Sequence, residues 1–479
     1  PEQAAQARHR LAFEELLAHH LNLRQARAQI QQQRAPKLRA QGSLLHALYS
    51  QLPFRLTGAQ TRAITEIQAE LRKAEPMLRL LQGDVGSGKT VVAAAAAALA
   101  LEAGYQAAFM APTELLAEQH GHKLHEWFTP LGIEVLTLTG SVKGKTRSRY
   151  LHLLKQHPQV LLVGTHAIFQ QDLHYAQLGL VIIDEQHRFG VEQRLALQEK
   201  AKVHGLTPHQ LIMTATPIPR SLAMTLYADL DNTVLDEKPA GRQPIQTILV
   251  SSQRRAEVIA RVDAACQAGR QAYWVCPLID TSEALVAQAV QQVVTELRTQ
   301  VPHLRVGLIH GRMKSSEKSN TMGAFQRGEL DLLVATTVIE VGVDVPNASV
   351  MIIENAERMG LAQLHQLRGR VGRGSAHSFC VLLYQPPLSE VAQQRLQTLR
   401  DTNDGFVLAQ RDLELRGPGE LLGTRQTGLP QFRLADLTQD QGLLLTVRQA
   451  ALWLEQHAPE TINPLRQRWL SSLERYAEV

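Results

Sequence analysis

The chain has 479 residues, 44% of them hydrophobic, which is enough for two domains with full cores plus smaller appendages. Its formal net charge of +5 is a mild excess, compatible with a nucleic-acid partner but too small to demand one. Cys266, Cys276 and Cys380 share no CxxC spacing, which argues against a cysteine-built zinc site or a disulfide framework. No signal peptide opens the sequence and no apolar run is long enough to span a bilayer, so the cytoplasm is the expected compartment.

Residues 1–50 are rich in Gln, Ala, Arg and Leu with helical periodicity, predicting one long helix or two. By themselves they read as a connector, a coiled segment or a domain-capping helix, their basic residues forming a solvated face. A chain that starts at Pro1 rather than at a methionine is expected to be a fragment. In the next segment, LPFRLTGAQTRAITEIQAEL at 52–71, Thr57 is a predicted N-cap and Ile64, Ile67 and Leu71 form a helical stripe. Gln60 falls in the first turn, where its amide can both donate to and accept from an adenine edge.

The stretch LRLLQGDVGSGKTVVAAAAAALA at 78–100 reads as a strand, a glycine-rich loop and an alanine-rich helix. Gly83, Asp84, Val85, Gly86, Ser87, Gly88, Lys89 and Thr90 complete the phosphate-loop pattern. Its glycines let backbone N–H groups wrap a phosphate, helped by the partial charge of the helix N-terminus. Lys89 can reach the outer phosphates, and the Thr90 hydroxyl is a ligand for the Mg²⁺ that travels with them. Further apolar strands follow near 107–112, 134–140, 160–169, 179–187 and 211–216. Such unbroken runs predict a parallel sheet covered by helices on both faces, with ligands at the strand ends. Asp184 and Glu185 close the fourth of these. The first is suited to holding Mg²⁺ through water and the second to orienting the attacking water. His187 is a candidate for linking the nucleotide to other motifs, and Thr214, Ala215 and Thr216 for bridging the acidic pair to whatever the motor grips, after which Pro217, Pro219 and Arg220 turn the chain.

A Pro/Gly-marked linker at 237–244 leads into a second α/β unit with six strand candidates and no phosphate loop of its own. In its QLRGRVGRG segment, Arg370 and Arg373 are three apart on a stretch read as helical, so a shared face would present them as arginine fingers across a cleft. The final hundred residues turn helical. A hairpin breaks near Asn403–Gly405, and a glycine-shaped loop is expected in LELRGPGELLGTRQTG at 413–428. Arg411 and Arg416 are expected to hold this hairpin to the core.

GDVGSGKT, APTELLAEQH, GTHAI, DEQHRFG, TATPIPR, HGRMK, TTVIEVGVDVPNA and QLRGRVGRG resemble, in order, the signature motifs of superfamily 2 helicases. DEQHRFG with TATPIPR narrows the resemblance to the branch holding RecG and the transcription-repair coupling factor. LPFRLTGAQ, YWVCPLI and GLPQFRLADL look more like the RecG family. The resemblance covers residues 50 to 440. It implies an α/β fold of two tandem RecA-like P-loop domains with parallel sheets, a helical N-terminal connector and a C-terminal helical hairpin and loop. The corresponding units are 1–50, 51–238, 239–390 and 391–479.

The resemblance further implies ATP and Mg²⁺ as cofactors and an ATP-dependent motor with 3′→5′ polarity. Its substrates would be stalled forks and Holliday junctions in DNA repair and recombination. A monomer on nucleoid DNA is implied, with single-strand-binding protein as a partner and no membrane. Residue by residue, Gln60 looks like the adenine reader, Lys89 and Thr90 the phosphate and magnesium residues, and Asp184 with Glu185 the hydrolytic pair. Gly342 and Asp344 resemble the fifth motif, and Gln366, Arg370 and Arg373 the sixth. Gln410, Arg411, Asp412, Arg416 and Gln426 fall in the duplex-translocation element. RecG proteins carry an N-terminal wedge domain with an oligonucleotide-binding fold; residues 1–50 are too short and too helical for it and match only the connector behind it. The alternatives are the motor of a coupling factor, or a nucleotide-gated scaffold that does not turn over.

Overall fold

The computed structural model describes residues 2–170, 172–184, 202–203, 205–215, 230–239, 243–277, 283–336, 345–372, 374, 377–420, 432–436 and 439–470. The helices α1 (Glu2–Gln31), α2 (Ser43–Gln51) and α3 (Gly58–Leu71) precede the first sheet. The sheet is built from β1 (Leu78–Gly83), β2 (Gln106–Met110), β3 (Glu134–Leu138), β4 (Val160–Gly164), β5 (Leu178–Ile183), β6 (His209–Thr214) and β7 (Asp231–Leu235). Their order across it is β3-β4-β2-β5-β6-β1-β7, every pairing parallel. The apolar runs of β1, β2, β4, β5 and β6 are buried throughout, as expected of strands covered on both faces.

α4 (Lys89–Glu102) follows β1 and is buried from Val91 to Leu101. Alanine favours the helix and leaves no side chain long enough to hold α2 and α3 away from it. α5 (Glu114–Phe128) and α6 (Gly144–Gln156) complete the described helices of this domain. Thr57 caps α3 in a capping box with Gln60, and Ile64, Ile67 and Leu71 are buried, as their spacing predicts. β7 is a strand the sequence reading omitted. Only two of its five residues are buried, so it lacks a continuous apolar run, and pairing with β1 defines it.

The second sheet comprises β8 (Gln246–Ser251), β9 (Gln271–Val275), β10 (Val306–Ile309), β11 (Leu332–Ala335), β12 (Ala348–Ile353) and β13 (Phe379–Tyr384), in the order β10-β11-β9-β12-β13-β8, again parallel. All six coincide with sequence-predicted strands. Helices α7 (Arg255–Gln267), α8 (Glu283–Gln300), α9 (Ser315–Gln326) and α10 (Leu361–Arg368) belong to it. The hairpin is α11 (Glu390–Asp401) and α12 (Gly405–Glu420), and α13 (Leu444–His457) and α14 (Ile462–Leu470) end the described chain. α12 continues through Arg416–Glu420, where the Gly-Pro-Gly spelling predicted the start of a loop. Helical hydrogen bonding propagated from a packed segment overrides local propensity there.

α1 is neither isolated nor simply solvated. Ala12, Leu16, Leu17 and Leu21 share a core with Leu443, Leu444, Val447 and Ala451. The sequence reads its basic residues as a solvated face, which holds for Arg10, but three arginines pair across the molecule: Arg8 with Asp440, Arg24 with Glu455, and Arg27 with Asp231 at the edge of the first sheet.

Candidate active site

β6 lies between β1 and β5, so three strand ends stand side by side: the phosphate loop after Gly83, Thr214, and Asp184. Gly88 holds φ at 84°, a backbone state glycine adopts without a Cβ clash, and directs the chain into α4. Lys89 opens that helix and folds its Nζ over the loop, donating to Gly83 O at 2.7 Å and Asp84 O at 3.0 Å. Thr90 follows, partly exposed. Buried Gln60 accepts from Thr57 N through Oε1 and donates from Nε2 to Ser87 O, both at 2.9 Å. The cap of α3 thereby sets the amide directly against the loop, with one donor and one acceptor position of the amide beyond these two bonds.

Asp184 is buried, its N–H donating to Met110 O at 2.9 Å and its Oδ2 lying 2.8 Å from His120 Nε2. The Thr90 hydroxyl and the Asp184 carboxylate are hard oxygen donors. Among the described residues no group of three or more His, Cys, Asp or Glu is gathered as a metal cage. Hard oxygen donors of this kind fit Mg²⁺, which usually keeps several of its waters and takes few protein ligands.

The second domain sits directly on the phosphate loop. Val85 is buried, and Gly369 faces it so closely that a Cβ there would meet Val85 at 2.8 Å. Beside them, His365 Nε2 lies 2.6 Å from Asp84 Oδ1. Arg368 Nη2 approaches His365 Nδ1 at 3.1 Å; a guanidinium only donates, so Nδ1 accepts and Nε2 carries the proton given to Asp84. Arg368 is itself buried, donating to Leu399 O at 2.5 Å and Thr402 O at 2.8 Å where α11 ends.

The other oxygen of Asp84 faces Lys238 Nζ at 3.6 Å, and that ammonium donates to Asn403 O at 2.9 Å. Two routes therefore run from one phosphate-loop carboxylate to the turn of the hairpin. Burial alone would push the Asp84 carboxyl up. The His365 hydrogen bond, the Lys238 ammonium and the Val85 N–H outweigh it and hold the carboxyl well below the usual range.

His365, Arg368, Lys238 and His120 were missed in the sequence. The one available signal was the i, i+3 spacing of His365 and Arg368 on a helix. Gln366 and Arg370 are both partly buried, but α10 ends at Arg368 with Gly369 as its C-cap. Arg370 thus lies past the helix, which corrects the expectation of a shared helical face with Arg373; glycines at 369 and 372, the latter at φ 77°, turn the chain instead.

In the hairpin, Gln410 donates to Glu414 and Gln441, Asp412 is buried, and exposed Arg411 pairs at 2.7 Å with Glu414 on its own helix. Among the described residues Arg368, Lys238 and Arg395 bond the hairpin to the core, and Arg411 pairs within its own helix, where a tie through Arg411 and Arg416 was expected. Glu185, His187, Thr216, Pro217, Pro219, Arg220, Gly342, Asp344, Arg373, Gln426 and the Arg416 side chain lie outside the described residues.

Three family models match in series. They are DEAD/DEAH box helicase over residues 57–225, helicase conserved C-terminal domain over 256–375, and ATP-dependent DNA helicase RecG, domain 3, C-terminal, over 402–475. The chain is 58% identical over 474 residues to the ATP-dependent DNA helicase RecG of Pasteurella multocida, covering 99% of this chain and 68% of that protein. It is 57% identical, with the same coverage, to the protein of that name from Escherichia coli K12. A solved structure of RecG bound to a three-way DNA junction aligns with TM-score 0.75 and 42% identity, over 92% of this chain and 57% of that one. This chain belongs to the RecG family of ATP-dependent DNA helicases.

Proposed function

We propose that this chain is the motor of an enzyme that drives duplex DNA through ATP hydrolysis, regressing stalled forks and migrating Holliday junctions. The observation that carries the reading is the double link from Asp84 to the hairpin, through His365–Arg368 and through Lys238. The His365–Arg368 route is enclosed, whereas the Lys238 route passes through a half-exposed ion pair, so a change at the phosphate loop has two physically distinct paths to the hairpin. The RecG relative solved on a three-way junction supports branched DNA as the substrate.

In this reading Lys89 neutralises the outer phosphates and Gln60 reads adenine. Thr90 and Asp184 hold the Mg²⁺, which when bound offsets phosphate charge. Glu185 orients the attacking water, while Gln366, Arg370 and Arg373 bring positive charge and hydrogen bonding to the γ-phosphate. Gly342 and Asp344 contact both nucleotide and DNA, and Gln410, Arg411, Asp412, Arg416 and Gln426 act on the duplex. The motor works as a monomer on nucleoid DNA with 3′→5′ polarity, and single-strand-binding protein is its protein partner. A phosphate-release assay with and without a three-way junction tests the core of this. Wild type should hydrolyse ATP faster with the junction. Glu185→Gln should bind ATP within about threefold of wild type yet lose at least roughly a hundredfold in turnover. Normal turnover in Glu185→Gln would remove the water-orienting role.

A further inference from the structure

We propose that His120 is a positioning residue for Asp184, fixing the carboxylate so that its other oxygen faces the metal. The inference rests on the assignment of Asp184 to Mg²⁺ above. His120 Nε2 lies 2.8 Å from Asp184 Oδ2, and both side chains are largely buried. A carboxylate accepts, so Nε2 is the donor and one oxygen is committed to the histidine. The ring cannot swing freely, because it lies against Phe109 with centroids 4.6 Å apart.

The helix that carries His120 is itself anchored. The hydroxyl of Thr113 caps α5, Glu114 accepts from Gly140 N at 2.7 Å, and Gly121 packs on Thr137 of β3 with no room for a methyl group. Ser319 of the second domain donates to Glu118 at 3.2 Å, and Leu115 packs against that domain's core. Asp184 is thus held twice by one stretch of chain: its N–H by Met110 at the end of β2, and its carboxylate by the helix that follows β2. A donor fixed on a carboxylate ligand orients it and raises metal affinity, and its loss typically costs ten- to a hundredfold in that affinity.

The experiment measures binding of a fluorescent ADP to the chain as Mg²⁺ is titrated, together with melting temperature. His120→Ala should bind ADP like wild type without metal, within about twofold, and need about ten times more Mg²⁺ for half-maximal enhancement. His120→Gln, whose amide can donate from a similar position, should recover to within about threefold. Asp184→Asn is the reference and should raise the requirement at least as much. An unchanged requirement in His120→Ala beside a raised one in Asp184→Asn overturns the positioning role alone. An unchanged requirement in Asp184→Asn overturns the metal assignment and the proposal with it. Failure of His120→Gln to rescue, or equal loss of metal-free and metal-dependent binding with a lowered melting temperature, makes His120 a packing residue and also overturns the proposal.

Discussion

Arg368 separates two kinds of arginine in one short segment. Gln366, Arg370 and Arg373 match a helicase motif by spelling, but among the described residues of this segment Arg368 is the arginine that is fully enclosed, bonded to two main-chain carbonyls, a hydroxyl and a histidine. Its planar fork satisfies acceptors pointing in several directions, which a lysine ammonium cannot match. Arg368→Ala should therefore cost about 2–4 kcal/mol by leaving buried acceptors unpaired, readable in chemical denaturation. Arg368→Lys should recover only part of that. Both variants should also lower the stimulation of ATP hydrolysis by DNA in a phosphate-release assay, since they cut the enclosed route from Asp84 to the hairpin while leaving the Lys238 route and Lys89 in place.

Among the elements, the hairpin differs most from its sequence reading. Among the described residues Arg411 pairs only with Glu414 of its own helix, and an exposed ion pair within one helix is worth about 0–1 kcal/mol. Its exposure leaves it available to a partner. Arg411→Ala should keep the melting temperature within about 2 °C of wild type and retain most DNA-stimulated ATP hydrolysis, while junction unwinding falls at least tenfold. Parallel loss of hydrolysis and unwinding would return Arg411 to a supporting role. The α1 connector is the other element redefined by its contacts. It bridges the C-terminal helices to the edge of the first sheet, and the segment after it is pinned under that sheet. There, His209 accepts from Met77 N at 3.0 Å and its Nε2 donates to Pro36 O at 2.7 Å.

For the whole molecule, these same contacts set the response to acid. Burial lowers His209 from the ordinary 6.5 to about 4. Burial does the same to His19, helped by neighbouring His20, and to His20, helped by Arg24 and Arg448 against Glu455, both to about 4. Between pH 6.5 and 4 the unfolded chain binds protons at these sites and the folded chain does not, so stability rises with pH across that window and is fully present above it. For His209 alone the effect is on the order of 3 kcal/mol. Denaturation midpoints should fall steadily from pH 7 to pH 4.5. A His19→Leu/His20→Leu double variant should show a shallower fall, and an unchanged slope would mean that the connector opens before these groups titrate.

Sequence alone determined whatever depends on a short window of chain. The phosphate loop, the Thr57 cap, the buried strands of both sheets and the break between α11 and α12 are spelled by residues within a few positions of one another, where backbone geometry and apolar periodicity act directly. The tertiary structure alone decided what joins distant parts. Asp84 and His365 are 281 positions apart, and Arg8 and Asp440 are 432 apart. Nothing near Asp84 distinguishes it from any loop carboxylate, and β7 becomes a strand only because β1 offers it an edge. Local pattern selects elements through torsions and burial. Which polar groups are left buried together, and must then find one another, is fixed only when two domains and a hairpin close on the same loop.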